Sequence, residues 1–153
     1  MPSSSPAHVF DVAIVGGGPA GLAAGMYLVR FLRSVILVDA GDARAKLIPK
    51  SHNCPGFPDG VGGPELLGRL RAQAQKYGAG VVDGRVAGAE KRDGTFLLTT
   101  TFGTIRARRM VLATGIVDKA PAIEGLEEAI APAPSDCVRS ATPTRPWASA
   151  SAS

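Results

Sequence analysis

The glycines at 16, 18 and 21 and the carboxylate of Asp39 are the residues whose types and spacing point to chemistry. Residues 12–25 read V-A-I-V-G-G-G-P-A-G-L-A-A-G. In a G-x-G-x-x-G turn the first glycine lets the chain leave a strand sharply. The second lets the backbone approach a pyrophosphate, and the third lets a helix pack hard on the strand. Pro19 sits near the first helical turn, where a missing N–H costs nothing. A helix starting there offers free N–H groups and a partial positive charge to an anion. A carboxylate about 20 residues past the glycines is what the ribose hydroxyls of a dinucleotide require, and Asp39 fills that place. A glycine turn kept only for strand–helix packing explains Gly21 and Gly25, but not Gly16, Gly17 and Gly18 together with Asp39.

These residues need elements to hold them. Residues 10–15 are a short apolar run, rich in Val and Ile, suited to a buried parallel strand. Residues 22–32 read as a helix with Leu22, Met26 and Val29 on one side, and residues 34–38 as a second strand ending in Asp39. No glycine closes that helix; if Leu32 takes the left-handed position, the cost is about 1 kcal/mol or somewhat more. Residues 43–63 read as a long irregular connection, and its His52, Asn53, Phe57 and four glycines favour a functional loop. His52 alone is better read as a structural or surface group. Residues 64–77 form a second helix with Leu66, Leu67, Leu70 and Ala74 on one face, ended by Gly78. A third parallel strand follows at 80–82.

Residues 85–105 change character. Strands at 86–90 and 95–101 are joined by Lys91-Arg92-Asp93-Gly94, a hairpin signal, and a third runs over 104–107 after a turn at Phe102-Gly103. Residues 109–113 then read as a fourth parallel strand ending at Thr114-Gly115. Ligands of open α/β sheets sit at the carboxyl ends of such strands, so Thr114 and Gly115 should lie beside the glycine turn. An ordinary strand-to-loop glycine is the alternative for Gly115. The expected fold class is α/β: a parallel sheet with flanking helices, carrying a three-stranded antiparallel β-meander.

The chain has 153 residues, which suits one domain, and a net charge of +4. Its basic residues gather at 91–92, at 106–109 and in the tail, without a basic stripe interleaved with aromatics, so nucleic acid is not an expected partner. Cys54 and Cys137 are far apart and fit no disulfide framework or metal pattern. Residues 1–7 are polar and read as a disordered start without signal-peptide character. No apolar run approaches transmembrane length, and the expected localisation is cytoplasmic, with no membrane partner.

Taken in order, the pieces are G-G-G-P-A-G, Asp-Ala-Gly, H-N-x-P-G-F-x-x-G-x-x-G-P-E-L, a β-meander, L-A-T-G and P-x-I-x-G-L. This series resembles the FAD-binding half of the thioredoxin reductase-like flavoproteins, within the pyridine nucleotide-disulfide oxidoreductases. The resemblance covers about residues 9–126, and residues 8–126 are expected to form a Rossmann-like FAD-binding domain. It implies FAD in the first site. By match of position, Gly16, Gly18, Pro19, Ala20 and Gly21 would hold the pyrophosphate. Asp39, followed by Ala40 and Gly41, would bind the adenosine ribose. Asn53 would lie near the flavin, the Val86 backbone would meet the adenine, and Ala113, Thr114 and Gly115 would pass near the cofactor. Arg44 and Lys46 fall where relatives often carry arginines, and Cys54 stands in for a common aromatic.

The resemblance also implies what is missing. Relatives continue into a nicotinamide-binding domain, usually with a Cys-x-x-Cys pair, and then a segment that completes the FAD site. After Ile130 this chain turns to Ala, Pro, Ser, Thr and Arg, and residues 127–153 read as a low-complexity tail. Codons for 131–145 can be chosen so that a shifted frame spells A-G-A-I-R-L-C-P-V-C-D-A-Y, close to the expected Cys-x-x-Cys-Asp stretch. The tail is therefore expected to be a frameshift product, with a natural low-complexity terminus as the alternative. At family level the implied activity is passage of electrons from NADPH or NADH through FAD to a disulfide or small acceptor, with no catalytic residue or metal ligand assigned here. The other readings are a non-catalytic FAD/NAD-binding remnant and a simple NAD-binding protein. A homodimer or a complementing polypeptide is the partner class such a short chain calls for.

Overall fold

The computed structural model describes residues 8–117. The readings of residues 1–7 as disordered and of 127–153 as a low-complexity or frame-shifted tail lie outside the described residues, as does the stretch 118–126 of the expected domain. The elements are β1 (Val9–Val15), α1 (Pro19–Arg30), β2 (Val35–Asp39), α2 (Gly63–Lys76), β3 (Gly80–Asp83), β4 (Val86–Arg92), β5 (Thr95–Thr100) and β6 (Gly103–Leu112). They build one six-stranded mixed sheet in the order β3-β2-β1-β6-β5-β4.

The apolar runs of β1 and β2 are continuous because both faces of these strands are covered. Val12, Ile14, Val35 and Leu37 face the helices and pack with Leu22 and Leu67. Ala13, Ile36 and Val38 face the other way and pack with Leu98, Ile105 and Ala107 of the meander. Two residues, Gly84 and Arg85, join β3 to β4, which lie on opposite edges of the sheet. A flat six-stranded sheet would hold those edges about 24 Å apart, whereas two linking residues reach about 10 Å. The sheet therefore folds over on itself, and the meander covers the face that the helices leave open. The Gly84 amide donates to the Asp39 carbonyl at 2.8 Å, and a side chain at Gly84 would strike the Phe102 ring.

Two sequence expectations change here. The strands read at 104–107 and 109–113 are one strand, β6. Its first half pairs antiparallel with β5 (Thr100 opposite Gly103, Phe96 opposite Ala107). From Arg106 to Leu112 it pairs parallel with β1. The connection at 43–63 is not structureless: Arg44–Leu47 makes a 3-10 turn, and Ser51 and Val61 exchange backbone hydrogen bonds that close the rest into a loop. Smaller differences follow local geometry. α1 begins at Pro19, because a proline suits the first turn, and β4 runs on through Lys91 and Arg92, leaving Asp93-Gly94 as the turn with both φ positive.

Both helices end in the same way. At α2 the Gly78 amide donates to Gln75 and the Ala79 amide to Ala74, with Gly78 at φ 98°. At α1 Leu32 donates to Val29 and Arg33 to Leu28, with Leu32 at φ 58°. Leu32 thus takes the left-handed position that a closing glycine would otherwise hold, and the residue is 91% exposed, so no burial offsets the strain. Leu32→Gly is expected to stabilise the fold by about 1 kcal/mol, seen as a higher urea midpoint at unchanged slope.

Asp11 ties the start of β2 to β1. Its Oδ2 accepts from the Ser34 amide at 2.9 Å and from the Ser34 hydroxyl at 3.0 Å, while the Asp11 amide donates to Ser34 Oγ at 2.8 Å. The Ser34 amide, then its hydroxyl, hold the Asp11 carboxyl below its ordinary value of 3.8. A carboxylate lowered in the folded state stabilises above its unfolded pKa and loses that contribution as pH falls through the folded one. Asp11→Ala should therefore lower the urea midpoint at neutral pH, and the gap to the natural chain should narrow as pH drops below about 4.

Candidate functional site

The carboxyl ends of β1, β2 and β6 meet in one place. The Gly16 amide donates to the Val38 carbonyl at 2.9 Å, and the Ala113 amide donates to the Val15 carbonyl at 2.8 Å. Gly16 takes φ 113°, and any side chain there would run into the Ala113 carbonyl. A side chain at Gly21 would run into the Gly16 carbonyl. The turn is thus clamped between β6 and α1, backbone against backbone. Thr114 follows Ala113 at the same spot, its amide nitrogen 3.3 Å from where a Gly16 Cβ would stand. Thr114 and Gly115 are exposed, and Gly115 has φ 67°.

Gly18 is different in kind. It caps α1 in extended geometry, and a Cβ added to it would have no atom of the described residues within 4 Å. Internal packing gives no reason for a glycine here; close approach from outside does. Helix geometry leaves the first-turn amides, those of Ala20 and Gly21 after the proline, without partners inside α1. The first turn of α1 carries no acidic side chain, whereas that of α2 carries Glu65. The start of α1 can therefore receive an anion from solution. Gly25, by contrast, has room for a methyl group: its nearest neighbour would be Ile14 Cδ1 at 3.5 Å. The packing explanation offered for Gly25 is not required by the structure.

Asp39 lies beside this turn with its side chain 12% exposed. Its Oδ1 accepts from the Gly41 amide at 2.9 Å, and its Oδ2 pairs with Arg71 Nη1 at 3.0 Å. Arg71 reaches on to Asp83 Oδ1 at 2.7 Å. Gly41 has φ 79°, and its carbonyl accepts from Lys46 Nζ at 2.6 Å. A cleft of about 270 Å³ opens here, lined by Gly17, Leu22, Asp39, Lys46, Leu67 and Arg71 among others. The structure thus brings together Gly16, Gly18, Pro19, Ala20, Gly21, Asp39, Ala40, Gly41, Ala113 and Thr114. Asn53 sits apart in the 51–61 loop, exposed, its Oδ1 accepting from Ser51 Oγ at 2.6 Å. Val86 is the first residue of β4 and packs into the meander-side core.

Gly17 and Arg71 were not among the site residues expected from the sequence. A Cβ at Gly17 would overlap the Asp39 carboxyl, so that glycine makes room for the acid. Arg71 did carry a signal: it lies four residues after Leu67 and three before Ala74, within the buried stripe of α2. A cation in an apolar stripe needs a partner.

Gly18 and Gly21 separate packing from binding. Gly21→Ala should cost about 1–3 kcal/mol, because a fixed backbone carbonyl stands in the way. Gly18→Ala should cost no more than about 1 kcal/mol by urea midpoint, the preference for glycine over alanine at a helix N-cap.

The description of the pyridine nucleotide-disulphide oxidoreductase family matches residues 10–146. The chain is 36% identical over 111 residues to a thioredoxin reductase of Streptomyces coelicolor, covering 70% of this chain and 34% of that protein. It is 36% identical over 121 residues to a thioredoxin reductase of Treponema pallidum, covering 78% of this chain and 39% of that one. Among solved structures, an oxidoreductase from Agrobacterium tumefaciens superposes with a TM-score of 0.71 at 37% identity, covering 79% of this chain and 41% of the other. The chain therefore spans 34–41% of the length of these relatives. No helix among the described residues is long and apolar enough to cross a membrane. With a matching fold and a family match over most of its length, the chain belongs to the pyridine nucleotide-disulphide oxidoreductases.

Proposed function

We propose that this chain is the amino-terminal FAD-binding part of a thioredoxin reductase-like oxidoreductase, and that its site takes the pyrophosphate and adenosine ribose of FAD. The observation that carries this reading is Gly18: a glycine that no contact among the described residues requires, at the start of a helix whose first amides have no partner within it, beside a seated carboxylate. The residues fit that half of the molecule. The turn at Gly16–Gly18 and the amides of Ala20 and Gly21 would hold the pyrophosphate, with Pro19 fixing the first turn. Asp39, oriented by the Gly41 amide, would accept from the ribose hydroxyls, with Ala40 beside them. Ala113, Thr114 and Gly115 would border the cofactor, the Val86 backbone would meet the adenine, and Asn53 would approach the flavin. FAD, once bound, supplies hydride and electron transfer, and the protein supplies binding and orientation. NADPH or NADH is the electron donor of this reading; one relative, from Arabidopsis thaliana, is an NADPH-dependent thioredoxin reductase. The acceptor is a disulfide or a small molecule.

A second reading, binding without turnover, rests on a specific feature. Ile116 and Val117, just past β6, are 66% and 90% exposed, and Leu112 is exposed beside them. Such an apolar edge is expected where further protein would pack. The two readings part in one experiment. The purified chain is titrated with FAD by fluorescence quenching and then given NADPH. Quenching followed by bleaching of the flavin absorbance supports the enzyme, and quenching alone supports the binding module. No quenching at high micromolar FAD overturns both. Asp39→Ala should weaken FAD by about 10- to 100-fold, the range for hydrogen bonds to a charged group.

A further inference from the structure

We infer that Arg71, with Gly17, is a positioning pair for the Asp39 carboxylate, and that it sets the preference of this site for a ribose over a deoxyribose. The inference rests on the nucleotide-binding reading above and extends it to residues outside the glycine fingerprint.

The carboxylate is fixed from three sides by three separate elements. The loop after β2 gives the Gly41 amide to Oδ1 at 2.9 Å. Helix α2 gives Arg71 Nη1 to Oδ2 at 3.0 Å. The glycine turn gives the space itself, since a Cβ at Gly17 would overlap the Asp39 carboxyl. Each carboxylate oxygen has two acceptor positions. Among the described residues one on each oxygen is used, so one on each is left, which suits the two vicinal hydroxyls of a ribose.

Arg71 is itself held. Its Nη2 pairs with Asp83 Oδ1 at 2.7 Å, so the guanidinium is fixed between the ends of β2 and β3 before any ligand arrives. Asp83 is 81% exposed, and a surface pair of that kind adds little stability of its own. Its effect is to stop the guanidinium from turning away. Arg71 also offsets the charge of Asp39, which would otherwise repel a pyrophosphate seated at the start of α1. A lysine could supply the charge but not the two-armed geometry.

A purely structural role, tying α2 to the strands, would change stability and leave ligand choice alone. The full 153-residue chain is therefore titrated by calorimetry with FAD, with ADP and with 2′-deoxy-ADP. The natural chain should bind FAD and prefer ADP to 2′-deoxy-ADP by about tenfold, the loss of one hydrogen bond to a charged group. Arg71→Met should reduce that preference to less than about threefold, with ADP weakened more than 2′-deoxy-ADP, because both lose the charge that offsets Asp39 and only ADP loses the second ribose contact. Arg71→Lys should fall between. Gly17→Ala should also narrow the ratio of ADP to 2′-deoxy-ADP affinity, because its Cβ would displace the Asp39 carboxyl, while any loss at the pyrophosphate turn falls on both nucleotides alike. If Arg71→Met does not fold, Gly17→Ala decides. An unchanged preference in either variant overturns the inference while FAD binding stands. The same holds if the natural chain binds FAD without preferring ribose. Failure of the natural chain to bind FAD and ADP overturns the function reading and this inference together.

Discussion

The carbonyl of Gly16 lies where a side chain at Gly21 would begin, and the carbonyl of Ala113 lies where a side chain at Gly16 would begin. Two carbonyls, one from the turn and one from the end of β6, occupy the space that two Cβ atoms would need. This contact sets the direction of α1 relative to β1. It places Ala113 and Thr114 against the turn, and it leaves Gly18 as the part of the motif that faces open space. Close packing allows no slack at such a point, because a displaced carbonyl carries its whole strand or helix with it.

A second constraint acts through topology. Gly84 and Arg85 join opposite edges of a six-stranded sheet, and the sheet must fold over for so short a link to close. That fold brings the meander onto the face of β1 and β2 that the helices do not cover, and it buries Leu98 and Ala107 fully. It also brings the link back to the site, through the Gly84 amide on the Asp39 carbonyl and the Arg85–Asp42 ion pair at 2.6 Å. The scaffold of the meander and the carboxylate of the candidate site are therefore coupled. Asp39 is held through its main chain by the β3–β4 link and through its side chain by α2.

The helix ends show how local strain is carried by the rest of the fold. α1 and α2 close with the same pair of backbone hydrogen bonds, one around Gly78 and the other around Leu32. The leucine position costs more, and nothing near it recovers the difference. The motif forms there all the same, because β1–β2 pairing requires the chain to reverse directly after α1, and Ser34 must arrive at Asp11.

The local features were legible in the sequence. The glycine spacing, the β-branched runs before and after it, the apolar stripe of α2 and the Asp93-Gly94 turn each depend on residues within a few positions of one another, where sterics and periodicity act directly. The lack of a glycine after α1 marks Leu32 as the residue that would carry the strain of a left-handed close, but that the helix closes this way depends on the turn into β2. The tertiary structure alone decided the rest. Nothing in residues 103–112 says that one strand will pair with β5 at its start and with β1 at its end, since that depends on two partners distant in the chain. The pairing of Arg71 with Asp39 joins residues 32 apart, and the need for glycine at 17 exists only once the Asp39 carboxyl is seated against it. Short-range geometry named the groups that hold an anion and a sugar, and the packing of distant segments determined how firmly each one is held.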